Sequence, residues 1–128
     1  MASEQHIIYA RTERATSAAL AKDRFVRVTS GKVRLSTAGG LPYGVSGQAV
    51  AASTVREDQW VKIIQIGVAS VEVSSTGGIV KGARVGVAAN GKAKTAVANT
   101  PYGGIALTSG AATEVMPILL APASQTTL

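Results

Sequence analysis

The chain contains one β-rich passage twice, and this duplication constrains its fold more than any other feature. Residues 24–44 read RFVRVTSGKVRLSTAGGLPYG and residues 83–103 read ARVGVAANGKAKTAVANTPYG. Each runs from a short alternating strand through a small-residue turn ending in Gly-Lys, then a second alternating strand, then Pro-Tyr-Gly. Ser30-Gly31-Lys32 and Asn90-Gly91-Lys92 superpose at an offset of 60, whereas Pro42-Tyr43-Gly44 and Pro101-Tyr102-Gly103 superpose at 59, so a one-residue slip separates the copies. Gly31, Tyr43, Gly44, Asn90, Gly91, Tyr102 and Gly103 are therefore read as structural turn positions, the two tyrosines as matching corner residues. These are scaffold residues, with no nucleophile, metal cluster or acid/base pair among them.

The period of two places the strands. Val26 and Val28 face one way with Arg27 between them, and Val33 and Leu35 alternate with Lys32 and Arg34, which predicts a hairpin buried on one face. Val85 and Val87 play the same part in the second copy, where Asn90-Gly91 supplies the positive-φ residues of a tight turn. Strands over residues 44–50 and 103–107 follow, and each copy closes on an apolar strand, residues 60–66 and 115–120. Pro117 cannot donate to a ladder, so the last strand is expected at an edge or with a bulge. With 14 Gly, 4% aromatics and an apolar set dominated by Val, Ala and Ile, the composition favours short strands and tight turns over a helical bundle. The expected fold is all-β, a compact sandwich or barrel of about nine to ten short strands.

At 128 residues this is one domain's worth of chain. Residues 1–22 have no sustained period and read as an extended N-terminal arm with one apolar knot, Ile7-Ile8-Tyr9. Residues 23–121 read as a single β-rich domain with halves 23–75 and 79–121, joined by a flexible Ser74–Gly78 linker, and residues 122–128 as a flexible tail. No apolar run approaches the roughly 20 residues of a membrane-spanning helix. The amino terminus has no signal-peptide h-region, so synthesis in a cytoplasm without membrane insertion is expected.

The search for reaction chemistry returns little. There is no cysteine, and His6, the one histidine, falls in the arm, so neither a thiolate site nor a histidine-based triad can be assembled in the body. Glu57-Asp58 is the one adjacent carboxylate pair, and neighbours in an extended segment point apart. Gly39-Gly40 and Gly77-Gly78 lack the strand, helix, lysine and hydroxyl of a phosphate loop. The expectation is a protein that is not an enzyme and takes no cofactor, metal or small-molecule substrate.

A net charge of +6 favours an acidic partner. Much of it sits on outward strand positions or turn tips, where Lys also protects sheet edges. A single-strand-binding barrel would need aromatic faces in a basic groove. The aromatics are Tyr9, Phe25, Tyr43, Trp60 and Tyr102, and the two repeated tyrosines follow Pro and precede Gly, as packing corners would. Trp60, opening an Ile-rich strand, reads as core or interface.

The order of segments resembles the small capsid decoration, or cement, proteins of tailed bacteriophages. The residues behind the resemblance are Tyr43-Gly44-Val45, Ile79-Val80-Lys81-Gly82-Ala83-Arg84-Val85, Ala89-Asn90-Gly91-Lys92-Ala93, Gly104-Ile105-Ala106-Leu107 and 115–120, spread over about residues 20–121. The basic charge and longer amino-terminal segment depart from that pattern. The resemblance implies a virion structural protein made in the host cytoplasm and bound to the outer surface of an icosahedral head. Its partners would be the major capsid protein and other copies of itself, as trimer or dimer. On this view Ile7, Ile8, Tyr9, Arg11, Arg14 and Trp60 are the candidate capsid or subunit interface, with the arm adding a strand to a capsid edge. Two other readings stay open: a different phage structural β-module (tail tube, head completion or fibre attachment), and a basic nucleic-acid-binding β-barrel.

Overall fold

The computed structural model describes residues 6–14, 20–29, 31–47, 49 and 60–120. They form nine strands: β1 (His6–Arg14), β2 (Phe25–Thr29), β3 (Lys32–Leu35), β4 (Gly44–Ser46), β5 (Trp60–Glu72), β6 (Arg84–Val87), β7 (Ala93–Thr95), β8 (Gly104–Ala106) and β9 (Val115–Leu120). All belong to one curled antiparallel sheet of half-barrel form, in the order β3-β2-β4-β5-β9-β8-β6-β7, with β1 paired to β5. The all-β expectation holds.

The order is a palindrome, and the sequence repeat is its cause. In each half a hairpin lays its first strand against a short third strand, which pairs with a closing strand: β3-β2-β4-β5 in one, β7-β6-β8-β9 in the other. The closing strands then pair with each other, Val68 to Leu119 through Glu72 to Val115, and this ladder is the seam of the molecule.

Register explains the one-residue slip. Thr29 pairs with Lys32 around a two-residue loop, whereas Ala88 and Lys92 bracket the three residues Ala89–Gly91. Asn90 and Gly91 have φ of 58° and 72°, and Lys92 N–H donates to Ala89 O, so the second loop is closed by the positive-φ pair expected of it. Beyond the loops the halves stay in step. Val26 pairs with Gly44 and Val85 with Gly104; Tyr43 N–H donates to Val26 O, and Gly103 N–H donates to Val85 O. The structural counterpart of Tyr43 is thus Gly103 and that of Gly44 is Gly104. The two tyrosines are not equivalent corners, because the second Pro-Tyr-Gly arrives one position early.

Two apolar clusters fill the curl. The larger draws on both halves, with Phe25, Val45, Ile64, Val71, Ile79, Val85, Val87, Met116 and Ile118 buried together. The smaller belongs to the first half and packs Leu20, Val26, Val33, Val61 and Ile63 with Leu35 and Tyr43. β5 serves both, and Gly67 is where it changes sides. Its φ of 116° suits glycine, and the register of β1 shifts opposite this stretch, between Ile7 and Tyr9 and again between Tyr9 and Ala10. Val61 and Ile63, before the irregularity, enter the smaller cluster; Ala69 and Val71, of the same parity but after it, enter the larger.

Several boundaries differ from expectation. β5 continues six residues past Ile66 to Glu72, and the strand expected over residues 44–50 ends at Ser46. β9 is interior, between β5 and β8, with an unbroken register through Ser70 and Pro117. Pro117 is accommodated because β8 ends at Ala106, so the missing N–H falls just past the paired stretch, while Leu107 N–H donates to Pro117 O at 3.3 Å. The segment read as a flexible linker is pinned: Ser74 is buried, its N–H donates to Ala93 O, its hydroxyl lies 3.1 Å from that of Thr76, and Ile79 bridges to Gly110. The segment read as an arm enters the body twice, through β1 and through buried Leu20. Residues 122–128 lie outside the described part.

A β-carbon on Gly104 would press on the carbonyl oxygen of Leu119, and one on Gly44 would lie 2.7 Å from that of Ile64, so both strands need glycine to approach their closing strand. Gly104→Ala is expected to destabilise the protein by about 1–3 kcal/mol through overpacking against immovable backbone. Gly77→Ala, where nothing lies within 4 Å, is expected to stay within about 0.5 kcal/mol of the parent. Urea unfolding of both variants checks this.

Candidate adhesion surface

The described side chains are strongly asymmetric in charge. Among residues 20–28, 31–47, 49 and 61–120 there are ten Lys and Arg and three carboxylates, Asp23, Glu72 and Glu114, a balance of +7. The carboxylates of Glu72 and Glu114 are engaged within the fold. Glu72, at the end of β5, accepts from Arg24 Nη2 at 3.4 Å and from Lys92 Nζ at 3.2 Å, tying the start of the first half to the turn of the second. Arg24 Nη1 also donates to Asn90 O at 3.2 Å. Glu114 Oε1 accepts from Ala111 N–H at 2.7 Å, closing the turn before β9.

Asp23 closes the entry to β2. It adopts φ of 60°, its N–H donates to Ser46 O, and its carbonyl accepts from Glu72 N–H at 2.8 Å. The buried Ser46 hydroxyl completes the clip by donating to Ala21 O at 2.6 Å. Burial pushes the Asp23 carboxyl above its ordinary 3.8; Lys22 opposes this, Glu72 adds to it and Arg24 opposes it. The remaining basic side chains point outward on β3, β5, β6 and the connecting turns: Arg34, Lys62, Lys81 and Arg84 are exposed. The Arg84 guanidinium lies over the Tyr102 ring at 5.4 Å from its centre.

Exposed apolar side chains include Ile66, Val80 and Val97, and others stand near one another in two groups. One is a cross-strand row at the seam, Ile105 opposite Leu119 opposite Val68, with Leu119 45% and neighbouring Val115 42% exposed. The other lies beside β2 near the turn of the first hairpin, where Val28 and Leu41 are exposed beside Arg27. Among the described residues no three of His, Cys, Asp and Glu come together in a way that could hold a metal ion.

Of the residues singled out from sequence, Ile7, Tyr9, Arg11 and Arg14 fall on β1, their main chain opposite Gly67, Ile66, Ile63 and Trp60 respectively; Ile8 sits at the register shift. Arg14 and Trp60 are thus cross-strand partners. One edge of this segment is taken by the chain's own β5, which sequence reading did not foresee. The side chains of these residues, and Glu57-Asp58, lie outside the described part. Gly31 (φ 73°) turns the first hairpin, Asn90 and Gly91 turn the second, and Gly103 packs on the Phe25 ring. Sequence reading missed Asp23, Arg24, Ser46 and Glu72, whose contacts join positions far apart in the chain.

No family model matches the sequence, and comparison with curated proteins finds no match. Among solved structures the chain is similar in fold to the N base of the head fibre protein gp8.5 of bacteriophage phi29. The TM-score is 0.72 at 14% identity, over 94% of this chain and 97% of that one. The likeness therefore extends over the whole sheet.

Asp23→Asn keeps the left-handed backbone, which Asn tolerates, and removes the cost of burying a charge. Because the folded carboxyl titrates above its unfolded value, the parent gains stability as pH falls through that raised pKa toward 3.8 and loses it as pH rises. The variant is expected to be the more stable at pH 7, with its advantage shrinking as pH approaches 3.8. Urea midpoints at several pH values between these limits test the sign.

Proposed function

We propose that this chain is a structural protein of a phage virion that binds the outside of the icosahedral head and stabilises it, a decoration or cement role in which no reaction is performed. The single observation behind this reading is the near end-to-end likeness to the base of a phage head fibre. The chemistry of the surface agrees with it. The Glu72 and Glu114 carboxylates are spent on internal contacts, Arg34, Lys62, Lys81 and Arg84 are exposed, and apolar side chains are exposed as well. Such a surface favours adhesion to an acidic shell, with encounter accelerated by charge and slowed by salt. The partner proposed is the major capsid protein, with further copies of this chain, as trimer or dimer, beside it. Many copies on a lattice then act together, so modest contacts suffice.

A second reading is favoured by the nature of the neighbour. The matched chain is the N base of a fibre, so this chain would anchor a projecting appendage to the head rather than cement the shell. Both readings share the head-binding surface and differ in what the bound protein does.

The test is to mix purified protein with heads assembled without it, sediment them, count bound copies and heat the complexes. The cement reading predicts saturable binding, weaker at high salt, and heads that open at a higher temperature when decorated. Saturable binding with no change in head stability would favour the fibre base, and no binding at low ionic strength would end both.

A further inference from the structure

The outer side of β2 near the turn of the first hairpin forms a slot. Arg27, Val28, Leu41, Pro42 and Tyr43 line a cleft of about 210 Å³ in which Val28 is 39% and Leu41 52% exposed. The main chain of β2 runs along it. Val26 O accepts from Tyr43 N–H at 2.8 Å, which places the polar groups of Val26 on the edge facing away from β3. Two residues on, the N–H and C=O of Val28 point to the same edge, and β4, which begins at Gly44, does not reach them. Continuing the register places Pro42 opposite Val28, and proline has no N–H to give. Among the described residues, the main-chain groups of Val28 therefore have no ladder partner on this side, with Pro42 lying alongside them at the apolar recess.

Charge marks the same place. Arg27 and Arg34 are direct cross-strand partners, an arrangement of like charges that destabilises a hairpin left to itself. Arg27 Nε donates to Leu35 O at 3.4 Å, and Glu72 and Glu114 are engaged elsewhere. Arg27 lines the recess, and its cross-strand partner Arg34 is exposed.

We propose that this slot docks an extended acidic segment of a partner protein. The segment seats one aliphatic side chain among Val28, Leu41 and Tyr43 and places its flanking carboxylates on Arg27 and its cross-strand partner Arg34. On the functional reading above, from which this proposal takes its partner, the segment belongs to the capsid surface.

The experiment measures affinity for heads assembled without the protein, comparing the parent, Arg27→Glu with Arg34→Glu, Leu41→Asp, and a control, Lys81→Glu with Lys94→Glu. Both double variants shift net charge by four units, from +6 to +2, so general electrostatics is matched. Leu41→Asp changes only the recess, and circular dichroism with thermal melting verifies each fold. The slot predicts that the arginine pair and Leu41→Asp each weaken binding by about tenfold or more while the control changes it by less than about threefold. Parent binding with all variants equal would overturn the slot and leave the functional reading standing, whereas no parent binding would overturn both. If the arginine and leucine variants instead change the sedimentation coefficient of the free protein and not head binding, the occupant is a second copy and the proposal is wrong.

Discussion

The fold depends on one antiparallel ladder, the pairing of β5 with β9. Each half alone is a hairpin, a three-residue strand and a closing strand, too little to cover the apolar face it creates. Joining the closing strands makes one sheet of two half-sheets, and the larger cluster forms only then, since Phe25, Val45 and Ile64 come from one half and Val85, Met116 and Ile118 from the other. Burial of this kind is worth about 25 cal/mol per Å² of apolar surface, against chain entropy of similar total size. The seam is consequently where cooperativity between the copies resides. Arg24, Glu72 and Lys92 fasten its end, with partly exposed groups whose contribution is modest beside the packing.

Much of this was legible. Alternation at Val26, Val28, Val33 and Leu35 located the first hairpin; Asn90-Gly91 located the second turn; and 115–120 gave β9 at its observed bounds. These signals are local, because a strand with one buried face must alternate. What escaped depended on distant partners. Gly67 interrupts the period, so β5 read as ending at Ile66 although Val68, Ala69, Ser70, Val71 and Glu72 continue it. Pro117 read as an edge residue because the sequence does not say that β8 stops at Ala106. Tyr43 and Tyr102 read as equivalents because motif identity and ladder register differ by one position, and only pairing reveals which of them the backbone follows. The candidate site fared similarly. The basic excess was plain from composition, but the cleft joins β2 to a loop through the point where β4 begins, which no local pattern encodes.

The described charges divide between contacts within the fold and solvent. The closing contacts use Glu72, Glu114 and the backbone around Asp23, while exposed Arg34, Lys62, Lys81 and Arg84 face solvent. Duplication also gives each copy two similar but non-identical ends. The first half has the Arg27–Arg34 pair and the recess; the corresponding pair in the second is Gly86 with Lys94, which has a single charge and no side chain opposite. The ends have therefore diverged in surface chemistry while keeping one backbone plan, as expected where one end makes a contact that the other does not.

The most direct measurement is a reconstruction by electron cryo-microscopy of phage particles produced in cells that express this chain. The account predicts density for the nine-stranded sheet on the outer face of the head, with the β2–β3 end against the capsid shell. Finding the sheet in the tail, inside the head or absent from the particle would contradict it.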